Sequence, residues 1–460
     1  MKNPRMFALI ATLGSLRAFA PQVSVAQQTA NPGPEIDRYL TPYVSSGNFT
    51  GTVLVTRAGK TVYERSFGTA DRERSVPNTP ITSFHIASMS MQFTAAAIMR
   101  LIDRRVLSRD MRVSEIIPGI TGGDRITIRN LLEERSGLSD INARPDYNDI
   151  LAQHQTPASL VSFISHDTLL FDPGSKFLHE EHSAYNLLAL IIEKKTGKPF
   201  REAIRQLVFA PTGMSSAGAD DDSPSVLARN ARGYAPDGVY GLVPATPIHW
   251  SGKTGNASIY LSARDEAKWI AAFFHGNILS ASSRGAILDT IPRVGYGWFR
   301  GASSRFGEVA YYMNGRAPGF SSYVTYFPKS DLTVIALSNI YSSATTDIGN
   351  DIAAIVLGRE YKPFAMPGNN LDVKSFGLDG KRFGFGKDFY QPDATLNFVV
   401  KSNELFLQWP GGSLSPMIPF DRDHFIDRSY WVSVVVERDS TGAAVALRYD
   451  RFKGERSGSQ

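Results

Sequence analysis

Apolar positions recur along the chain in two periods, and the change from one period to the other marks its elements. From Glu35 to Ser45 they fit one face of an amphipathic helix. Thr52-Val53-Leu54-Val55-Thr56 and Thr61-Val62-Tyr63-Glu64-Arg65 then flank Ala58-Gly59, which predicts a β-hairpin. From Ser88 to about Asp103 the pattern turns helical. Met91, Ala95, Ile98 and Ile102 fall at spacings of four, three and four, so position 91 is expected to face inward. Leu131-Leu132 sits on a short helix that Ser136-Gly137-Leu138 terminates. Pro173-Gly174 forms a turn before a helix from about Ser183 to Lys195, with Gly197 as its stop. Ser322 to Pro328 and Leu332 to Leu337 flank Lys329-Ser330-Asp331 as a second hairpin, and a helix from about Thr345 to Val356 ends at Gly358.

Terminal hairpins, a helical middle and a returning β-segment predict an α/β (α+β) domain. It has one mixed, antiparallel-rich sheet flanked by helices, together with a helical subdomain. From Pro363 to Asn370 the composition turns to Pro, Gly and Asn, a linker signal. Beyond it, Thr395 to Val400, Leu405 to Trp409, Trp431 to Glu437 and Ala444 to Tyr449 are short alternating strands, a small all-β barrel or sandwich. A chain of 460 residues is too long for one compact core. The expected division is residues 27–362 and 363–460, after a leader at 1–26.

That leader changes the charge. Lys2 and Arg5 form a positive n-region, Met6 to Leu16 a short apolar stretch, and Ser24-Val25-Ala26 a small-residue cleavage site: a secretory signal, implying a periplasmic or secreted protein. The formal net charge is +5; without Lys2, Arg5 and Arg17 the balance is 46 basic residues against 44 acidic. A net charge of about +2 leaves no electrostatic footprint for nucleic acid. No later stretch approaches the length of apolar sequence that spans a bilayer. With no cysteine, disulfides, thiolate metal sites and Cys nucleophiles are excluded.

Candidate chemistry starts at Ser88, a hydroxyl opening an apolar helix, which by itself reads as an N-cap. The landmarks around it add more. Phe84-His85-Ile86-Ala87-Ser88 followed by Gln92-Phe93-Thr94 resembles the nucleophile segment of the β-lactamase-related serine hydrolases. That family includes class C β-lactamases, penicillin-binding proteins, D-aminopeptidases and related esterases. Ile126 to Leu132 with Ser136-Gly137-Leu138, Pro173-Gly174-Ser175-Lys176-Phe177, Phe209 to Met214 and Gly315 with Pro318-Gly319-Phe320-Ser321-Ser322 resemble its further signatures in order. The likeness covers roughly residues 35–360, and the tail resembles a small β-domain often appended to such hydrolases. It implies a serine β-lactamase/transpeptidase-like fold, acyl transfer without a cofactor, and a small-molecule or peptide substrate. The family's chemistry uses a Ser, a Lys three residues on, a Tyr-x-Asn motif and a Lys or His on a facing strand. Backbone N–H groups supply the oxyanion hole.

Against that pattern the chain departs systematically. The Lys position is Met91, and the strand motif Met313-Asn314-Gly315 puts Met313 where Lys or His belongs. The Tyr-x-Asn region reads Leu178-His179-Glu180-Glu181-His182, one residue longer than usual. Gly315 and Arg316 retain the backbone for an oxyanion hole. Lys253-Thr254-Gly255 lies upstream of Ser262-Ala263-Arg264-Asp265, outside the expected strand, and reads as a decoy. Met carries no proton, so three readings remain open. The first is a re-wired hydrolase with Ser88 as nucleophile and His179, Glu180 or His182 as base. The second is a non-catalytic binding protein that keeps the cleft. The third is a metal site at His179 and His182, with Glu180 and Glu181, or with Met91 and Met313 for Cu(I). For the His/Glu cluster the plain alternative is a polar loop in which His182 or Ser183 caps the next helix.

Overall fold

The computed structural model describes residues 31–178, 181–219, 230–290, 294–303, 305–367 and 371–457. The expected leader, His179, Glu180 and the end of the Pro/Gly/Asn stretch at 368–370 lie outside the described residues. Two compact units emerge. One contains residues 31–235 and 243–362; the other contains Pro236–Leu242 with 363–457.

The larger unit is organised on a seven-stranded sheet. Helix α1 (Gly33–Ser45) leads into β1 (Gly51–Arg57) and β2 (Lys60–Phe67). Ala58 and Gly59 both have positive φ, 48° and 71°, as the twist-matched two-residue hairpin turn requires. Five strands return late in the chain: β3 (Val294–Gly295), β4 (Trp298–Ser303), β5 (Glu308–Ala317), β6 (Phe320–Phe327) and β7 (Leu332–Ser338). Their order is β3-β4-β5-β6-β7-β1-β2, and every pairing is antiparallel. The antiparallel-rich sheet expected is thus antiparallel throughout.

Strands β6 and β7 are buried along their whole length, because helices cover both faces. Tyr323 and Tyr326 differ by an odd number of residues and so point to opposite faces. Tyr323 packs against Gly349 of the helix Ala344–Val356, where a Cβ would come within 2.2 Å of its ring. Tyr326 meets Phe274 at the end of the helix Ala263–Phe274, with ring centroids 4.1 Å apart.

Two central helices form the heart of the helical subdomain. Helix α2 (Ser90–Asp103) is buried from Ser90 through Met99, and α3 (His182–Thr196) from its first residue through Ile192. A helix apolar all round belongs in an interior, so Met91, Ala95 and Ile98 face inward as expected, but so do their neighbours. Gly197, with φ 67°, closes α3 in the left-handed conformation read from its position.

The smaller unit is a closed barrel of eight antiparallel strands, from Arg382–Gly384 to Phe452–Arg456. Its own core includes Phe383, Leu396, Phe398, Leu405, Leu407, Phe425, Val434 and Leu447. Alternate burial along Thr395–Lys401 is the half-buried strand pattern seen in the sequence. No helix among the described residues is long and apolar enough to cross a membrane.

Candidate active site

Ser88 does not cap a helix. It lies in a 3₁₀ turn, Ala87–Met89, that runs directly into α2, and its side chain makes no capping hydrogen bond. Ala87 is fully buried with φ +50°, an unfavourable conformation for a residue with a Cβ. Several bonds hold the turn in place. Ile86 N–H donates to the Ile259 carbonyl at 3.0 Å, Ser322 Oγ donates to the Ile86 carbonyl at 2.6 Å, and Ile259 N–H donates to Ser90 Oγ at 3.1 Å.

Strand β5 brings Gly315 to this turn. Its pairing with β4 stops at Tyr312, so Met313 to Ala317 are paired on the β6 side alone within the sheet. A Cβ at position 315 would lie 2.3 Å from the Ile86 carbonyl oxygen and 2.9 Å from Ser88 N, so only glycine fits. An unpaired strand edge against the backbone of a serine is the geometry from which an oxyanion hole is built. Arg316 follows, its guanidinium 4.6 Å from the centre of the Tyr341 ring.

Met91 and Met313 are both buried in the main hydrophobic core. Gly297, with φ +73°, lies so close to α2 that a Cβ there would be 2.5 Å from the Met91 carbonyl carbon. Both methionines are core residues, as flexible apolar gap-fillers often are.

The remaining described candidates fall at the N-terminus of α3. Glu181, fully buried, immediately precedes the helix. Its carboxyl accepts from Ser136 N at 3.1 Å, Ser136 Oγ at 2.7 Å and Gly137 N at 2.9 Å, tying α3 to the Ser-Gly-Leu turn. Burial pushes this carboxyl up to about 7, against the pull of those donors. Ser183 does not cap α3 either; its Oγ accepts from Ile141 N at 2.9 Å. The chain after the turn therefore wraps around the start of the helix, and Asp140 arrives beside His182. His182 Nδ1 lies 3.2 Å from Asp140 Oδ1, with only a tenth of the imidazole side chain exposed.

Of the candidate residues, the structure brings Ser88, Met91, Met313, Gly315 and Arg316 to one corner and pairs His182 with a carboxylate. Asp140, beside His182, is the acid that sequence reasoning did not single out, whereas Glu181, offered there as a metal ligand, binds the Ser-Gly-Leu turn. For Asp140 the available signal was its place two residues after Ser136-Gly137-Leu138. Lys253 sits on a 3₁₀ turn, Trp250–Lys253, rather than on the strand facing Ser88. Among the described residues no group of three or more His, Asp or Glu side chains is placed to hold a metal ion.

Comparison with known proteins decides the family. The Beta-lactamase family model matches residues 36–358. The chain belongs to this family of serine hydrolases. Penicillin-binding protein 4* of Bacillus subtilis (strain 168) is 25% identical over 432 residues, covering 87% of this chain and 93% of the relative. The D-aminopeptidase of Brucella anthropi is 31% identical over 227 residues, 48% of this chain and 41% of that protein. Among solved structures, a penicillin-binding protein from Bacillus halodurans superposes with a TM-score of 0.61 at 26% identity, covering 69% of this chain and 98% of that one.

Proposed function

We propose that this β-lactamase-family chain is an exported hydrolase that cleaves an amide, peptide or ester through Ser88, with His182 as its base. The observation carrying this reading is the His182–Asp140 contact at 3.2 Å. With Asp140 ionised, Nδ1 carries the proton shared with the carboxylate, and Nε2 is left as acceptor. Ser88 Oγ bonds to the substrate carbonyl carbon while its proton passes to Nε2. The carbonyl oxygen takes up negative charge against the backbone N–H groups of Ser88 and Arg316. His182 then gives the proton to the departing nitrogen or oxygen, and water repeats the sequence on the acyl-enzyme. His179 and Glu180, the other candidate bases, stand beside this pair in sequence.

Hydrolysis of an activated ester, with fluorophosphonate labelling of Ser88, tests the proposal. Ser88→Ala abolishes both, while His182→Ala and Asp140→Asn each lower the rate by about 10²–10⁴. Ester turnover unaffected by both His182→Ala and Asp140→Asn removes His182 from the mechanism. Export is tested by intact mass, which should show the chain starting at Gln27.

A second reading, a binding protein that keeps the cleft without the chemistry, draws support from the core packing of Met91 and Met313. Folded protein that neither turns over esters nor labels at Ser88 favours it.

A further inference from the structure

Lys253, outside the mechanism above, poses a problem of charge. All but 7% of its surface is covered, yet among the described residues no carboxylate lies within ion-pairing distance of its ammonium. Its partner is Tyr147: Nζ donates to the phenol oxygen at 2.9 Å and lies 5.0 Å from the ring centre. A phenol and a ring face offset only part of the cost of taking an ammonium out of water. Among the described residues the other two of its three N–H donors meet no acceptor.

The position of this ammonium relates it to the catalytic corner. Trp250, in the same 3₁₀ turn, stacks on His85 with ring centroids 3.5 Å apart and planes 5° from parallel. His85 is three residues before Ser88, and Phe320 of β6 packs edgewise on both rings. Burial pushes the His85 imidazole down to about 3, so the stack is neutral and supplies no counter-charge. On the other side, Tyr147 opens the short helix Tyr147–Leu151, which follows the 3₁₀ turn that Asp140 caps beside His182. Lys253 is thus tied to the segment leading into Ser88 and to the segment that carries Asp140. Unsatisfied polar atoms gather nearby: among the described residues His85 Nδ1 and both polar atoms of the Asn256 side chain are buried without partners. Asn256 N–H donates to the Lys253 carbonyl at 3.2 Å.

We propose that the Lys253 ammonium, held against Tyr147 beside the His85–Trp250 stack, is the anchor for a carboxylate on the substrate. The inference rests on the hydrolase reading and narrows its substrate class to amides, peptides or esters that carry a negative charge. A bound carboxylate supplies the missing counter-ion and uses the remaining N–H donors. Charge-assisted hydrogen bonds of this kind are the strong ones. The Lys253-Thr254-Gly255 triplet then has a role in the site, though not as the family's strand motif.

Two matched pairs of esters test it: nitrophenyl hydrogen glutarate against nitrophenyl butyrate, and carboxyphenyl acetate against phenyl acetate. The first pair places the carboxylate on the acyl side and the second on the leaving group. In at least one pair the intact protein should prefer the charged ester in kcat/KM by about tenfold or more. Lys253→Met should erase that preference, and Tyr147→Phe, which keeps the charge, should retain it. No preference in either pair, or a preference that survives Lys253→Met, overturns the proposal. If neither ester is turned over, the hydrolase reading fails separately, and calorimetry on Ser88→Ala decides the anchor. Tighter binding of glutarate monoanilide than of butyranilide, lost on adding Lys253→Met, supports it; equal binding overturns it.

Discussion

Beside α2, which follows the turn carrying Ser88, lies a carboxyl group with one oxygen left without a partner among the described residues. Glu266 is fully buried; Gln92 Nε2 donates to its Oε1 at 3.0 Å, while Oε2 has no partner among the described residues. Trp269 Nε1 donates to Gln92 Oε1 at 2.8 Å, so the three side chains form one chain beside α2. Burial pushes the Glu266 carboxyl up to about 8, from 4.5 in an open chain; the Gln92 bond opposes this and the charge of Asp265 adds to it. Between those two values the folded state holds a proton that the unfolded state has released, so stability falls as pH rises through the window. Below it both states are protonated and no such penalty applies. Glu266→Gln should therefore flatten the loss of stability from about pH 5 to about pH 8.5, gaining on the parent as pH rises. Denaturant midpoints of both proteins at the two pH values measure this. A parallel decline in parent and variant would show that Glu266 is not the titrating group.

At the scale of elements, the decisive event is the approach of β5 to the turn that carries Ser88. Gly315→Ala places a methyl group 2.3 Å from the Ile86 carbonyl oxygen and 2.9 Å from Ser88 N, where backbone rather than a flexible side-chain end must give way. Such overpacking costs on the order of 1–3 kcal/mol. It should also move the two halves of the oxyanion hole apart, so Ser88 labelling by a fluorophosphonate slows more than the stability loss alone explains. Equal labelling rates in a folded Gly315→Ala protein would place the oxyanion donors elsewhere. Gly315 is marked in the sequence by the resemblance of Met313-Asn314-Gly315 to the family's strand motif. The helices and hairpins around it are legible because their apolar period is local. Asp140 is not. It meets His182 across 42 residues, through a turn held by Glu181, and no local period records that encounter. Nor does the pattern reveal that Ser88 sits in a 3₁₀ turn after a strained Ala87, since tertiary bonds to Ile259 and Ser322 hold that conformation.

For the molecule as a whole, the unit that contains the barrel is assembled from two separate stretches of chain, Pro236–Leu242 and 363–457. Arg428 joins them. It is fully buried, and its Nη1 donates to the carbonyls of Gly238 at 2.8 Å and Gly241 at 2.6 Å. Glu404 adds a second tie, accepting from Val239 N at 3.0 Å. A buried guanidinium that loses its acceptors leaves an uncompensated charge, a loss of about 3–5 kcal/mol. Cutting the covalent connection between residues 367 and 371 should therefore not separate the pieces. With a site-specific protease sequence placed at 368–370, the two cleaved fragments should elute together on size-exclusion chromatography. Arg428→Met removes the tie without leaving a charge behind, and with it the fragments should separate while the barrel keeps its β-sheet circular dichroism. Fragments that part with Arg428 intact would mean that the Pro236–Leu242 stretch contributes little to holding the barrel unit together, and that its own core suffices.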